Sequence, residues 1–349
     1  MEQILNKIPV GILGATGSVG QKFIQLLADH PYFEVTELAA SEKSAGKPYK
    51  DAVTWFLPGK IPAAIEDKVV KTTDSDLECK LLFSGLDASV AGEIEENFAC
   101  KGYVVVSNSK NHRFDTAVPL LIPEVNPDHL DLIKYQTYGK GCIVTNPNCS
   151  TIGMVMAVKP LLDRFGIAAI NVVTLQAISG AGFPGLSSLS ILENAIPNIS
   201  GEEKKIETEP LKILGTFSNG EIRPLELQIS AQCNRVPVID GHLSSVQVRL
   251  KQKASRSDIL DAWETFSAEP QERKLPFAPV QPIHYFTEPF YPQPRLHRDL
   301  EKGMAVSVGQ LRECPIFDFK FSVLSHNTVR GAAGGAILCA ELMKDRNLF

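Results

Sequence analysis

Apolar positions fall into two rhythms along the chain. Val10-Gly11-Ile12-Leu13 is an apolar run of strand length, and the glycine-rich turn Gly14 to Gly20 leads it into Val19, Phe23, Leu26 and Leu27 at helical spacing. Val35 to Ala40 and Leu81 to Leu86 read as further strands, the latter followed by a helix over about 88–99 and by a strand at Tyr103 to Val106. Strands alternating with helices predict an α/β fold with a parallel sheet. The pattern then changes. Met154, Ala157, Val158 and Leu161 mark a helix, Ile170 to Ile178 a strand, Leu243 to Lys251 an alternating strand, and Ser257 to Thr265 a short helix. Residues 276–294 carry six prolines and read as an irregular excursion. Val306 to Gly309 and Asp318 to Phe321 return as strands, and a last helix runs near Val329 to Lys344, opening on small residues that allow close packing.

Composition narrows the classes. A chain of 349 residues with 44% hydrophobic and 21% charged residues has a substantial core and room for two domains. A net charge of −5 leaves no electrostatic footprint for nucleic acid or an anionic membrane surface. There is no run of 18 apolar residues, and Met1 to Pro9 is mixed and polar, without a signal-peptide core. The seven cysteines are scattered, with no metal spacing, which fits reduced thiols in the cytoplasm and no metal site.

Strand, glycine turn and helix at Val10 to Leu27 are the parts of a dinucleotide-binding βαβ unit, with phosphate at the helix N-terminus. The spacing GxxGxxG also serves a glycine turn with no ligand. After the second strand, where an acidic residue would grip a ribose 2′-hydroxyl, the chain has Ser41-Glu42-Lys43-Ser44-Ala45-Gly46-Lys47. Its hydroxyls and lysines favour NADP over NAD, and Glu42 argues the other way. Ser84, Gly85 and Asn108 stand at carboxyl ends of strands, where such sheets hold ligands, although turn capping uses the same residue types. Lys110 or Arg113 can meet a phosphate or carboxylate.

In Asn146-Pro147-Asn148-Cys149-Ser150-Thr151, Pro147 keeps its predecessor out of helix, so a helix should start near Ser150 with Cys149 at its N-terminus. Unpaired N–H groups there favour the thiolate, the nucleophilic form. A buried structural cysteine is the alternative. The strand ending at Gln176 runs into Ser179-Gly180-Ala181-Gly182, a loop able to approach a ligand closely. Ser200 to Lys205 reads as a cap followed by a charged helix. In Cys233 to His242, Arg235 offers a bidentate grip on a carboxylate and His242 a general acid/base.

With these residues in hand the chain resembles the aspartate-semialdehyde dehydrogenases, in particular their fungal and archaeal branch. GATGSVGQKFI, SNSKNHR, PNCST, LQAISGAGFPG, SGEEKK, CNRVPVIDGH and SHNTVRGAAGG follow in order over nearly the whole chain. The resemblance implies a Rossmann-type NADP-binding domain over 1–148, completed by the C-terminal helix 328–349, and an α+β catalytic and dimerisation domain over 149–327. It implies that Cys149 forms an acyl-enzyme from L-aspartyl 4-phosphate, which is reduced with NADPH to L-aspartate 4-semialdehyde with the help of His242, on the way to lysine, methionine, threonine and isoleucine. Cys149, His242 and Gln176 are then the catalytic set. Arg235, Glu202, Lys205, Asn148 and Arg113 are the substrate-binding set, with Glu203 and Lys204 offering a second register for the acid–lysine pair. Gly14, Thr16, Gly17, Ser18, Val19, Ser41, Ser44, Lys47, Ser84, Ser179, Gly180 and Asn327 are the cofactor-binding set. The expected partners are small molecules and further copies of the chain, as a homodimer or homotetramer. The rivals are a malonyl-CoA reductase-like paralogue, which lacks the asparagine before the cysteine, an N-acetyl-glutamyl-phosphate reductase, and a non-catalytic NADP-binding redox sensor.

Overall fold

The computed structural model describes residues 7–349. Residues 1–6, which include most of the segment expected to lack a leader and the start of the expected first domain, lie outside the described residues. The chain divides into two compact units. The first comprises Met1–Leu121, His129–Asn146 and Ala336–Phe349, the second Ile122–Asp128 and Pro147–Gly335. Ile122–Asp128, expected within the first domain, thus groups with the second, where Glu124 forms a buried bidentate pair with Arg330 at 2.6 Å.

In the first unit, strands β1 (Ile8–Leu13), β2 (Phe33–Ala40), β3 (Lys71–Thr72), β4 (Leu81–Ser84), β5 (Val104–Ser107) and β6 (Cys142–Thr145) form one sheet in the order β3-β2-β1-β4-β5-β6. Every pairing in it is parallel. This is the doubly wound order whose ligands bind beyond the carboxyl ends of the strands, where the order reverses, here between β1 and β4. Strand residues such as Leu13, Leu82, Val105 and Ile143 are buried because helices cover such a sheet. The helix Ser18–Leu27 buries Phe23, Ile24 and Leu27, and the helix Ala88–Cys100 buries Phe98 and Ala99. Of the expected C-terminal addition 328–349, Ala336–Phe349 joins this unit, whereas residues 328–335 group with the second. His30 Nδ1 accepts the N–H groups of Tyr32 and Phe33, so its Nε2 donates to Glu341 at 2.7 Å in a fully buried contact.

The second unit holds β7 (Ile167–Gln176), β8 (Ile196–Pro197), a small hairpin β9 (Thr216–Ser218) and β10 (Glu221–Arg223), β11 (Gln228–Arg235), β12 (His242–Leu250), β13 (Ile283–Phe286), β14 (Val306–Glu313) and β15 (Phe319–Ser325). Apart from the hairpin they make a mixed sheet ordered β13-β14-β15-β12-β7-β11-β8. The helix Cys149–Phe165 is almost wholly buried, and Trp263 of the helix Arg256–Glu264 donates its indole N–H to Ala157 O at 2.8 Å. The proline-rich excursion is more ordered than expected. Ile283–Phe286 pairs with β14 as an edge strand, free of proline itself.

Candidate active site

Three neighbouring strands bring the polar residues of the second unit to one end of its sheet. β11 runs parallel to β7 with Arg235 opposite Gln176, and β12 runs antiparallel to β7 with Leu243 opposite Leu175. Arg235 therefore ends one strand, Gln176 ends the next, and His242 begins the third. All three are buried.

The helix that carries Cys149 starts at that residue, one earlier than the sequence indicated, because Asn148 is its cap. Asn148 Oδ1 accepts the N–H groups of Ser150 and Thr151 at 3.0 and 3.3 Å. Its Nδ2 donates to Glu202 Oε2 at 2.8 Å, and its main-chain N–H donates to Glu209 Oε2 at 2.7 Å. Cys149 Sγ lies 3.2 Å from His242 Nε2. Gly331 packs on the other side of the cysteine, where an added Cβ would stand 2.7 Å from Cys149 Cβ.

His242 is oriented by one peptide. Ala177 N–H donates to Nδ1 at 3.0 Å, and Ala177 O accepts from Arg235 Nη1 at 2.6 Å. With Nδ1 occupied as an acceptor, the neutral ring carries its proton on Nε2, facing the sulfur. Burial first, then the Arg235 charge and His326, push the His242 pKa down to about 3. Burial also lowers Arg235, against the pull of Cys149 and Glu202. Gly180 closes this corner, since a Cβ on it would stand 2.8 Å from Arg235 Nη1 and 3.3 Å from His242 Cε1.

The charged helix spans Glu202–Ile213, and its N-cap is Gly201 at φ 73° with no side-chain cap, so Ser200 does not cap it. Of the two possible registers, Glu202 and Lys205 form the ion pair, and it lies against Asn148. Glu202 Oε1 meets Lys205 Nζ at 2.5 Å and Oε2 receives Asn148 and, at 3.4 Å, Gln176. Burial works to raise the Glu202 carboxyl, but Lys205, Asn148 and Gln176 outweigh it and hold it below its ordinary value. Glu203 turns instead to the main-chain N–H of Cys233 at 3.1 Å. Glu209 was missed by the sequence reading. The signal was its place seven residues after Glu202, on the same helix face.

Ser179 and Asn327 are joined at 2.8 Å, and Asn327 Oδ1 accepts Gly241 N–H at 2.8 Å, so the asparagine ties together the loops beside Gln176 and His242. Cys233 is buried on the strand that ends in Arg235. Burial pushes its thiol up to about 11.

In the first unit, Gly14 adopts φ +75° and its N–H donates to Ala39 O at 2.8 Å. A Cβ on Gly14 would stand 2.8 Å from Gly85 O, and one on Gly20 would collide with Gly14 O. Gly17 caps the helix Ser18–Leu27 without any side chain. Thr16, Ser18 and Val19 are half-buried around that turn. The result is a tight backbone cradle at a helix N-terminus, which fits a dinucleotide pyrophosphate. Ser41, Ser44 and Lys47 sit in the loop after β2, where Ser41 O accepts Ser44 N–H at 2.9 Å and Lys47 Nζ reaches Lys43 O at 2.9 Å. Ser84 sits at the end of β4, where its hydroxyl donates to buried Glu95 at 2.5 Å and its main-chain oxygen accepts the Asn108 N–H at 3.1 Å. Burial raises the Glu95 carboxyl, against the hydrogen bonds from Ser84 and Ser107. Arg113, also in this unit, is buried and donates to Asn108 O at 2.9 Å.

A dinucleotide-type α/β unit and a second unit carrying a cysteine within 3.2 Å of a histidine are the parts of a nicotinamide-dependent oxidoreductase. Comparison with known proteins narrows this. Residues 9–133 match the sequence profile of the semialdehyde dehydrogenase NAD binding domain, and residues 158–330 that of the semialdehyde dehydrogenase dimerisation domain. The aspartate-semialdehyde dehydrogenase of Schizosaccharomyces pombe is 51% identical, covering 97% of this chain and 99% of the relative. That of Methanothermobacter thermautotrophicus is 47% identical, at 97% and 99%. The crystal structure of the Candida albicans enzyme with NADP superposes with a TM-score of 0.91 at 45% identity, covering 99% of this chain and 100% of the other. The chain belongs to the aspartate-semialdehyde dehydrogenase family.

Proposed function

We propose that this chain reductively dephosphorylates L-aspartyl 4-phosphate to L-aspartate 4-semialdehyde, with NADPH, through an acyl-thioester on Cys149. The observation that supports it most directly is Cys149 Sγ at 3.2 Å from a histidine nitrogen, at a helix N-terminus capped by Asn148.

The thiolate of Cys149 attacks the acyl carbon. An S–C bond forms, the C–O bond to phosphate breaks, and a thioester remains. Arg235 binds the substrate carboxylate, its guanidinium fixed by Ala177 O, and Lys205 takes the phosphate side, oriented by Glu202. When bound, the reduced dinucleotide supplies the hydride for the thioester carbon. His242 holds its proton on Nε2, where it meets negative charge on the sulfur or on the developing oxyanion. Cleavage of the C–S bond then frees the aldehyde and returns the thiolate. Gln176 lines the acyl site beside Glu202.

Gly14, Thr16, Gly17, Ser18 and Val19 would hold the pyrophosphate, and Ser41, Ser44 and Lys47 the 2′-phosphate. Ser84, Ser179, Gly180 and Asn327 complete the cofactor set, and Asn148 and Arg113 the substrate set. The first unit serves as the NADP domain, and the second carries catalysis and self-association into a homodimer or homotetramer. The location we propose is the cytoplasm; among the described residues no helix is long and apolar enough to cross a membrane. Nearly full-length identity to aspartate-semialdehyde dehydrogenases favours this reading over the malonyl-CoA reductase, N-acetyl-glutamyl-phosphate reductase and redox-sensor alternatives.

The test is NADP reduction with L-aspartate 4-semialdehyde and phosphate. Activity should require phosphate and vanish in Cys149→Ala. Turnover that survives that substitution, or NADPH oxidation with malonyl-CoA alone, would overturn the proposal.

A further inference from the structure

The helix Glu202–Ile213 is fastened by acids on more than one side. Glu203 and Glu207, four residues apart, accept the main-chain N–H groups of Cys233 and Ala231 at 3.1 and 3.0 Å, which binds the helix to β11 and so to the strand that ends in Arg235. Glu202 and Glu209, seven apart and so nearly two full turns, converge on Asn148. Glu202 takes its side-chain amide and Glu209 its main-chain N–H. Glu209 is 0% exposed, and its 2.7 Å contact is in the range of a charge-assisted hydrogen bond. The next residue is Cys149, held from its other side by Gly331.

We propose that Glu209 is a positioning residue for the nucleophile: it accepts the Asn148 N–H and thereby fixes the Asn148–Cys149 peptide, which aims Sγ at His242 Nε2. The inference rests on Cys149 being the nucleophile. The main-chain N–H of the cap has no partner within its own helix. Without a buried acceptor the cap residue would have to rotate to find one, and the sulfur would move with it. The requirement is for an acceptor, so an amide oxygen at the same place should serve.

The experiment compares Glu209→Leu and Glu209→Gln with the wild type and Cys149→Ala, reading turnover, KM for NADP, and the rate of Cys149 alkylation by iodoacetamide, located by peptide mapping. Glu209→Leu should lose about 10- to 100-fold in kcat and slow alkylation comparably, with KM for NADP unchanged. Glu209→Gln should restore both rates to near wild type. A merely structural role would lower stability but leave the alkylation rate of the folded enzyme alone. Unaltered rates in a folded Glu209→Leu, or a Glu209→Gln as poor as the leucine variant, would overturn the proposal. Should Glu209→Leu fail to fold, hydrogen exchange of the Asn148 amide in the wild type decides. Strong protection supports the proposal, and exchange at the rate of an exposed amide overturns it. Inactive Cys149→Ala beside a normal Glu209→Leu would defeat this inference alone, whereas active Cys149→Ala would defeat the thioester reading on which it rests.

Discussion

At His242 the two ring nitrogens face different partners, Ala177 N–H at 3.0 Å on Nδ1 and Cys149 Sγ at 3.2 Å on Nε2. A neutral imidazole has one donor and one acceptor. The main-chain donor fixes which is which, so His242 presents a proton to the sulfur rather than a lone pair. With its pKa pushed down to about 3 by burial and by Arg235, the ring stays neutral throughout the working range. The pH profile of Cys149 alkylation should therefore follow thiol ionisation alone. A second inflection near 6.5 that disappears in His242→Gln would refute this. Because an amide can still donate, His242→Gln should keep much of the alkylation rate, while His242→Ala should lose it. At Gly180 the constraint is space. A methyl group there meets Arg235 Nη1 at 2.8 Å, so Gly180→Ala should cost roughly tenfold in kcat/KM for the semialdehyde by displacing the guanidinium, with NADP binding less affected. Equal losses on both substrates would show that the loop had collapsed.

Secondary structure carries these residues to one place, and its legibility in the sequence was uneven for physical reasons. The βαβ start was readable because Gly14, Gly17 and Gly20 answer to local backbone constraints, a positive φ and close approaches within one turn. The Cys149 helix was readable because Pro147 and the apolar spacing both act locally. Registers were not readable. That Arg235 lies opposite Gln176 follows from strand pairing across about sixty residues, which no local pattern encodes. The run Glu202 to Lys205 reads only as a charged helix, yet Glu202 and Glu209 are buried because Asn148 supplies donors that appear only in the folded chain. Ser200 was expected to cap this helix, but the chain turns at Gly201 in a left-handed conformation and the serine is not used. The cap that matters is Asn148. Replacing it with alanine removes two helix-cap hydrogen bonds, worth about 1 kcal/mol, and takes one side-chain donor from the buried Glu202 carboxylate. Asn148→Ala should thus lower Tm by more than an ordinary cap mutant and cut kcat, with scanning calorimetry and turnover as the measurements. A change confined to KM for NADP would contradict the assignment.

Over the whole chain, the first unit is assembled from three segments that include the C-terminal one, so its stability depends on residues far apart in sequence. Glu341 is the acceptor for the buried His30 Nε2–H. Glu341→Ala should cost about 1–3 kcal/mol by leaving that donor unsatisfied, and Glu341→Gln, which keeps an oxygen, should cost less. The acid side of the stability curve then includes two buried groups of opposite sign, beside the lowered Glu202 carboxyl, which works in the same direction as His242. His242 is depressed from 6.5 to about 3, so the unfolded chain takes up a proton there that the folded protein refuses. Its contribution is complete above pH 6.5 and is lost as pH falls through that window, by up to about 1.4 kcal/mol per unit. Burial raises Glu95 above its ordinary 4.5, so its contribution is present below 4.5 and is lost as pH rises through its folded value. Between these limits the two oppose one another, and the wild-type curve alone will look flatter than either. Single variants separate them. In urea titrations, the stability of His242→Gln relative to wild type should improve steadily as pH drops from 6.5 towards 4. Glu95→Gln should gain on wild type in the other direction, as pH climbs towards neutrality. A His242→Gln difference that does not change with pH would mean that the ring is not held neutral in the folded state, and the proton-donor role argued for it would fall with that result.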